Sequence, residues 1–223
     1  MDVYFVMDIK QGRVVAGKMG RREEYREISE TSKIVSTSDP EGVIDTLKPK
    51  NVYIADLDRI ERRGDNLRTV LEISKMVDRL IADLGFEKVE DEIYPFTPVL
   101  GTETFDLRLL KDGEYIVSID IKNRLLDRSG MFERVEDVLD YLNSFRIAGI
   151  LVLPIHRVGS LSFDLSMVEK ALNTSNHPVL TGGGIKSIDD LIVAREMGVD
   201  GVLISTAFHS GLIDPSILRE GKI

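Results

Sequence analysis

Eight short apolar runs recur along the chain, and segments with the apolar spacing of an amphipathic helix follow most of them. The runs cover residues 3–9, 51–56, 79–84, 93–100, 114–120, 149–154, 177–181 and 201–204. Near-continuous apolar strands are typical of a parallel sheet that is buried on both faces, and parallel strands need long crossover connections. Eight such strands alternating with helices predict an α/β fold, a (βα)₈ TIM barrel.

The third and fourth units of this pattern are the weakest. Residues 83–98 carry acids and two prolines in place of a clear helix and strand, so this region is expected to be shortened or degenerate. Elsewhere Asp39-Pro40-Glu41 predicts a helix start with proline at the first helical position, and residues 13–17 predict a small hairpin after the first strand. An open doubly wound sheet is the alternative fold, but no GxGxxG motif follows the first strand.

The size and charge of the chain limit the classes of function. Its 223 residues fit a single (βα)₈ barrel domain spanning 1–223. A net charge of −9 argues against a nucleic-acid surface, and the absence of cysteine excludes disulfides and thiolate metal sites. The first eight residues carry acids and no basic stretch, so neither a signal peptide nor a membrane span is expected there. We expect a soluble, cytoplasmic protein.

Two strand-to-turn segments near the C-terminus have the construction of a phosphate site. The first is Pro178-Val-Leu-Thr-Gly-Gly-Gly-Ile-Lys-Ser187, and the second is Gly201-Val-Leu-Ile-Ser-Thr-Ala-Phe208. Glycines let the main chain approach an anion closely, and a helix beginning near Ser187 would direct unpaired N–H groups toward it. The alternative is that Gly182, Gly183 and Gly184 only form a tight turn.

Two aspartates end strands that are four strands apart. They are Asp8, in Phe5-Val-Met-Asp8, and Asp120, in Val117-Ser-Ile-Asp120. Reactive residues of such barrels lie at the C-terminal ends of the strands, so this pair would face each other across the barrel mouth and suit proton transfer. The alternative is that each aspartate caps the following turn. Asp56 and Asp58 form a second acidic cluster, for which capping is favoured over a metal site.

Six segments in this order resemble the histidine-biosynthesis barrels, the HisA/HisF-like family. They are Val-Met-Asp-Ile-Lys-Gln-Gly-Arg-Val-Val (6–15), Ala-Asp-Leu-Asp (55–58), Val-Leu-Gly-Thr (99–102), Ser-Ile-Asp-Ile-Lys (118–122), Gly-Gly-Gly-Ile-Lys-Ser-Ile-Asp-Asp-Leu (182–191) and Gly-Val-Asp-Gly-Val-Leu-Ile (198–204). The resemblance implies a (βα)₈ fold and an acid/base pair at Asp8 and Asp120. It also implies a phosphate cradle at Gly159, Ser160, Gly183, Gly184, Ser205 and Thr206, and part of a second phosphate site at Gly101 and Thr102.

The chain departs from the family pattern at three places. The turn after strand three reads Ala82-Asp-Leu-Gly-Phe86 where the family has a glycine-rich turn, and an acid there would repel a phosphate. This family includes a ribotide isomerase and the cyclase subunit of imidazole glycerol phosphate synthase. Leu153 stands where that isomerase has a threonine, and Val158 stands where the family pattern has an aspartate. The cyclase subunit has a lysine where this chain has Ala16. A ribotide with two phosphates is therefore a poor candidate substrate.

His156 and Arg157 are additions at the end of strand six. A histidine there could shuttle protons, so His156 joins the candidate catalytic residues, and Arg157 could hold a carboxylate or phosphate at the second site. The alternative is that both lie on an ordinary surface loop.

These residues predict a divergent barrel that binds a small phosphorylated metabolite and isomerises or condenses it by acid/base chemistry. No metal and no cofactor is required. Two alternatives stay open: the isomerase activity of histidine biosynthesis itself, and a non-catalytic protein that binds a phosphate ligand or a partner. The likeness to the cyclase also raises a glutamine amidotransferase as a partner, although no docking face can be identified from the sequence.

Overall fold

The computed structural model describes residues 1–89 and 92–223. It contains ten strands: β1 (Asp2–Lys10), β2 (Arg13–Ala16), β3 (Arg26–Glu27), β4 (Asn51–Asp56), β5 (Arg79–Asp83), β6 (Thr97–Gly101), β7 (Gly113–Ile121), β8 (Ile147–Pro154), β9 (Val179–Gly182) and β10 (Gly201–Ile204). β1 and the seven strands from β4 to β10 are parallel to their neighbours. β10 pairs with β1 from Asp2↔Gly201 to Phe5↔Ile204, which closes the sheet. The predicted (βα)₈ barrel is confirmed.

Two apolar layers hold the barrel together. Side chains that point inward fill its interior, and the opposite faces of the same strands pack under the helices. The inward group comprises Tyr4, Tyr53, Ile81, Val99, Ile116, Leu151, Leu180 and Leu203. Phe5 and Ile54 are fully buried members of the outer layer. Burial on both faces explains why these strands are continuous apolar runs, since each fully buried large side chain contributes roughly 1.5–3 kcal/mol.

The helices follow the strands as the apolar spacing predicts. They are α1 (Pro40–Leu47), α2 (Leu57–Ile60), α3 (Leu67–Ile73), α4 (Val135–Leu142), α5 (Leu165–Thr174), α6 (Ile188–Glu196), α7 (Thr206–His209) and α8 (Ser216–Glu220). The Asp39 side chain accepts a hydrogen bond from the Gly42 N–H at the start of α1, with Pro40 in the first turn, which confirms the predicted cap. No helix among the described residues is long and apolar enough to cross a bilayer.

The third and fourth units are shortened, as predicted. The described residues between β5 and β6, 84–89 and 92–96, contain no helix, and between β6 and β7 there is only a 3₁₀ turn at Leu107–Leu109. Glu90 and Asp91 lie outside the described residues. The predicted fourth strand started too early, because β6 begins at Thr97 and Ile93 is 96% exposed. An exposed apolar side chain such as Ile93 contributes to a sequence run without belonging to a buried strand.

A hairpin crosses the mouth of the barrel. β2 pairs antiparallel with β1 and then with β3, which confirms the predicted hairpin. Residues 17–25, called the cover segment below, lie between β2 and β3 and reach the loop after β8. The Met19 N–H donates to the Val158 carbonyl at 2.8 Å, and a Cβ at Gly159, whose φ is +74°, would collide with the Gly17 carbonyl. Glycine is therefore required where the cover segment meets this loop.

Candidate active site

One cavity lies at the C-terminal ends of the barrel strands, beneath the cover segment. Its lining combines acidic side chains, one arginine, aromatic side chains and glycine-rich turns. The polar and turn residues are Asp8, Arg22, Tyr25, Tyr53, Asp83, Glu103, Asp120, Gly159, Gly182, Gly183, Gly184, Ser205 and Thr206. The apolar remainder includes Val6, Leu153 and Leu203. The cavity occupies the place where (βα)₈ barrels carry their reactive groups.

Asp8 enters the cavity from the end of β1. Its carboxyl group has no hydrogen-bond partner among the described residues, although it lies within the field of Arg22. Burial raises the pKa of Asp8 to about 6, and the nearby Arg22 guanidinium opposes this rise. At neutral pH both protonation states of Asp8 are therefore accessible.

Asp120 enters from the end of β7, which is four strands from β1 around the barrel and so lies on the opposite side. Its carboxylate accepts hydrogen bonds from the Ser118 hydroxyl at 2.7 Å and from the Glu103 N–H at 3.1 Å. Burial raises the pKa of Asp120 to about 6, whereas these two donors lower it. The Asp120 N–H donates to Thr102 Oγ1 at 2.9 Å, which fixes the end of the strand.

Asp83 is a third acid in the cavity, and sequence reasoning treated it only as an obstacle to a phosphate. It ends β5, is 7% exposed, and accepts a hydrogen bond from the Gly85 N–H at 2.9 Å. Burial, followed by the charge of Asp120, raises the pKa of Asp83 to about 7. Its position at the end of an apolar strand, like that of Asp8 and Asp120, is the sequence signal that could have identified it.

Arg22 and Glu103 close the cavity from above. Two hydrogen bonds of 3.0 and 2.7 Å join the guanidinium of Arg22, in the cover segment, to the carboxylate of Glu103, which follows β6. The ion pair is largely buried, with side-chain exposures of 18% and 31%. No local pattern in the sequence connects two residues that are 81 positions apart, so this pair could not be predicted.

Most of the predicted phosphate cradle lines the same cavity. Gly159, Gly183, Gly184, Ser205 and Thr206 all do so. Ser160 lies outside the lining, and its hydroxyl donates to the Arg157 carbonyl at 2.8 Å.

The glycine turn and the two neighbouring helices differ in what they offer an anion. Gly184 has a φ of +89°, and a Cβ there would collide with the Ser162 carbonyl, so glycine is required where this turn packs against the loop after β8. The first turn of α6 is closed by its own capping box, in which the Ser187 and Asp190 side chains bond each other's N–H groups. α7 begins at Thr206 without a side-chain cap. Side chains therefore satisfy two N–H groups at the start of α6, whereas no side chain caps the start of α7.

His156 and Arg157 lie outside the cavity lining, in a 3₁₀ turn at Ile155–Arg157. The ring Nδ1 of His156 lies 3.4 Å from the Ile121 carbonyl oxygen. Arg157 donates to the Ser162 hydroxyl at 2.8 Å, and its buried Nε has no partner among the described residues. His156 therefore contacts the end of β7, and Arg157 contacts the loop that carries it.

At the predicted second phosphate site, Gly101 and Thr102 lie among other groups of the protein. Thr102 is fully buried and bonded to the backbone of β7. Gly101 lies against two carboxylates: a Cβ at this position would stand 2.8 Å from Asp120 Oδ2 and 3.1 Å from Asp83 Oδ2. This side of the cavity is therefore acidic, and Coulomb repulsion disfavours an anion there.

The second acidic cluster of the sequence has a structural role. Asp56 accepts hydrogen bonds from the N–H groups of Asp58, Arg59 and Asn66, and from the Asn66 side chain. Asp58 accepts from the Gln11 N–H and from the Asn66 side chain. These bonds tie the β1–β2 turn to the end of β4, in agreement with the capping alternative. Among the described residues, no three potential metal ligands converge.

Comparison with known proteins identifies relatives over most of the chain. A family profile described as histidine biosynthesis protein matches residues 107–214. An uncharacterised protein of Methanocaldococcus jannaschii is 34% identical over 96% of both chains. Two further relatives are imidazole-4-carboxamide isomerases whose full name contains two phosphoribosyl groups. The one from Methanopyrus kandleri is 30% identical over 76% of this chain and 78% of its own, and the one from Methanosphaera stadtmanae is 29% identical over 93% of both.

The fold, the positions of the strand-end acids and these matches agree with the resemblance that the sequence motifs indicate. The identity to an isomerase reaches 30% over about three quarters of each chain, and the profile match covers the second half of the barrel. The chain belongs to the histidine biosynthesis protein family.

Proposed function

We propose that this chain is a divergent member of its family that binds a small metabolite through one phosphate and isomerises or condenses it by acid/base catalysis. One observation carries the proposal: Asp8 and Asp120 face a single cavity that the glycine turn after β9 and the start of α7 also line. Phosphate binding and proton transfer would therefore take place on the same small molecule.

The phosphate would bind at the ends of β9 and β10. Gly183 and Gly184 have no side chain, so their main chain can approach a ligand in the cavity. Ser205 and Thr206 add hydroxyl groups at the start of α7, where no side chain caps the helix. Glycine-rich turns, whose backbone N–H groups can approach an anion closely, are typical of phosphate sites.

Asp8 and Asp120 would transfer the protons. In an isomerisation, one carboxylate removes a proton from a carbon next to a carbonyl or imine, and the other carboxylic acid gives a proton to the substrate oxygen or nitrogen. The proton count is then balanced between the two groups. Because the pKa of each is about 6, each acts near neutral pH without a large cost for reaching the required protonation state.

A test of this mechanism is hydrogen exchange into phosphosugars. We would incubate the protein in D₂O with a panel of aldose and ketose monophosphates and follow carbon-bound protons by NMR. We expect exchange in at least one compound, and Asp8→Asn and Asp120→Asn should each slow it by about 10²–10⁴-fold. Asp137→Asn changes the same group on the exposed face of α4 and should leave the rate unaltered.

Two results of that experiment would contradict the mechanism. Exchange that persists in both strand-end variants would remove Asp8 and Asp120 from the reaction. If a thermal-shift measurement on the same panel finds a phosphosugar that raises the melting temperature of the protein, and that phosphosugar shows no exchange, the non-catalytic alternative is favoured.

A second candidate is the isomerase activity of the relatives, because two of them match with 29–30% identity over most of the chain. The name of these relatives contains two phosphoribosyl groups, whereas at the predicted second phosphate site of this chain the carboxylates of Asp83 and Asp120 lie against Gly101. We therefore expect no rescue when this gene is expressed in a histidine-requiring strain that lacks the isomerase. Growth without histidine would establish the second candidate instead.

A further inference from the structure

Two polar side chains that line the cavity, Tyr53 on β4 and Asp83 on β5, each have an oxygen without a hydrogen-bond partner among the described residues. Tyr53 is 3% exposed and its hydroxyl makes no hydrogen bond with any described residue. Asp83 is bonded through Oδ1 to the Gly85 N–H, while its Oδ2 has no partner in the described part of the chain. Both residues line the cavity. Neither oxygen is among the buried side-chain atoms that lack a partner in the described part of the chain, so both are open to the cavity, where a ligand can form hydrogen bonds with them.

The charge around Tyr53 and Asp83 selects the kind of ligand group. The carboxylates of Asp8, Asp83 and Asp120 surround this part of the cavity, and the Tyr53 hydroxyl lies within the field of all three. Arg22 is the cation that lines the cavity, and its guanidinium is already paired with Glu103. The local charge is therefore negative, which repels an anion and attracts a cation.

Asp83 and Tyr53 would contact the end of a bound substrate that lies away from its phosphate. Three barrel strands lie between β5, which carries Asp83, and β9 in either direction, so β5 and β9 lie on opposite sides of the mouth. Tyr53 is paired with Ile81 one layer below Asp83, and it forms part of the floor. A substrate anchored by its phosphate at β9 and β10 would extend across Asp8 and Asp120 toward this acidic end.

We propose that Asp83 and Tyr53 form a subsite for a protonated nitrogen, an ammonium or amidinium group, at the end of the substrate away from its phosphate. The proposal rests on the proposed function, because the phosphate fixes which end reaches Asp83. Asp83 Oδ2 accepts a hydrogen bond from the nitrogen, and the Tyr53 hydroxyl donates to Asp83 or to a neighbouring substrate oxygen. The protein would thus bind a molecule with a phosphate at one end and an amine at the other in preference to a bisphosphate of similar length.

Paired probes test this subsite. We would measure, by calorimetry with EDTA present, the binding of ω-aminoalkyl phosphates of graded chain length and of the matching ω-hydroxyalkyl phosphates. Near pH 8 the amine is protonated and Asp83 is largely ionised. The wild-type protein should bind the best amine about tenfold or more tightly than its hydroxyl counterpart, as a charge-assisted hydrogen bond provides. Asp83→Asn should abolish the preference, and Tyr53→Phe should reduce it.

Asp137→Asn is the matched control, because it removes one negative charge at an exposed position and should keep the preference. Equal binding of amine and hydroxyl probes to the wild-type protein, or a preference that survives in Asp83→Asn, would overturn the subsite and leave the phosphate cradle standing. Failure of both probe series to bind would overturn the phosphate anchor and, with it, this inference.

Discussion

At the scale of single residues, three buried acids reduce the stability of the folded protein when they ionise. Asp8, Asp83 and Asp120 all have pKa values raised mainly by burial. A raised pKa means that ionisation of the carboxyl group costs more free energy in the folded protein than in the unfolded chain, so ionisation favours unfolding. Groups with such a cost are expected at functional sites, where chemistry rather than stability selects the residue.

Asp83→Asn should stabilise the protein at alkaline pH. The pKa of Asp83 in the folded protein, about 7, lies above its ordinary value of 3.8. The wild-type protein therefore loses stability as the pH rises from about 4 to 7, and above pH 7 the loss is complete. Asparagine keeps an acceptor for the Gly85 N–H and cannot ionise. We expect the free energy of unfolding to rise by about 2–4 kcal/mol at pH 8 and little at pH 4.

Denaturant titrations at the two pH values measure this effect. Asp137→Asn, on the exposed face of α4, should show no comparable pH-dependent gain. If Asp83→Asn and the wild-type protein differ equally at both pH values, the carboxyl group of Asp83 is not the source of the cost.

At the scale of elements, the cover segment depends on a few contacts with other loops. The Met19 N–H donates a hydrogen bond to the loop after β8. The Gly20 carbonyl accepts a hydrogen bond of 3.2 Å from Lys122 Nζ. The paired hydrogen bonds between Arg22 and Glu103 are its charged connection to the far side of the mouth. Segments held by so few interactions open more readily than the strands beneath them.

Glu103→Gln should loosen the cover segment without unfolding the barrel. The neutral amide keeps one hydrogen bond and loses the charge, which we expect to cost about 1–2 kcal/mol in this largely buried pair. Amide hydrogen exchange over residues 17–25 should then accelerate by roughly 5–30-fold, while exchange in β1 and β7 stays slow.

Glu24→Gln is a suitable control for that measurement, because Glu24 pairs with Lys18 and Arg21 on the surface of the same segment. Surface pairs of this kind contribute little, so exchange should change less than about twofold. Equal acceleration in both variants would show that the Arg22–Glu103 pair has no special role in closing the cavity.

At the scale of the whole molecule, the C-terminus closes the end of the barrel opposite the cavity. Asn51 is 5% exposed, and its side-chain amide donates to the carbonyls of Gly221 and Val3, at 2.8 and 3.3 Å. The Val3 N–H also donates to Gly221, and the Lys50 N–H to Leu218. One buried side chain therefore joins β1, β4 and the end of α8.

Asn51→Ala should destabilise the entire fold. It removes two buried hydrogen bonds, which we expect to cost about 2–3 kcal/mol in a urea titration. Asn123→Ala, at an exposed position after β7, should stay within about 0.5 kcal/mol of the wild-type protein. An unchanged midpoint for Asn51→Ala would mean that α8 and Gly221 contribute nothing to barrel closure.

Local pattern in the sequence was sufficient for the barrel and for part of its site. Strands buried on both faces need uninterrupted apolar residues, so all eight barrel strands could be located, and parallel order brings their C-terminal ends together. The placement of Asp8 and Asp120 follows from that rule alone. That the whole chain forms a single domain, and the roles of the site residues, stay predictions.

Only the tertiary structure decided which other side chains reach the cavity. Arg22 pairs with Glu103, which lies 81 positions further along the chain. Burial and the charge of Asp120 raise the pKa of Asp83, and His156 lies outside the cavity lining. A side chain's charge state and partners depend on groups that are close in space but distant in sequence. The spacing of apolar residues in the sequence indicates which face of a helix or strand is buried, but it does not indicate which distant residues lie next to that face.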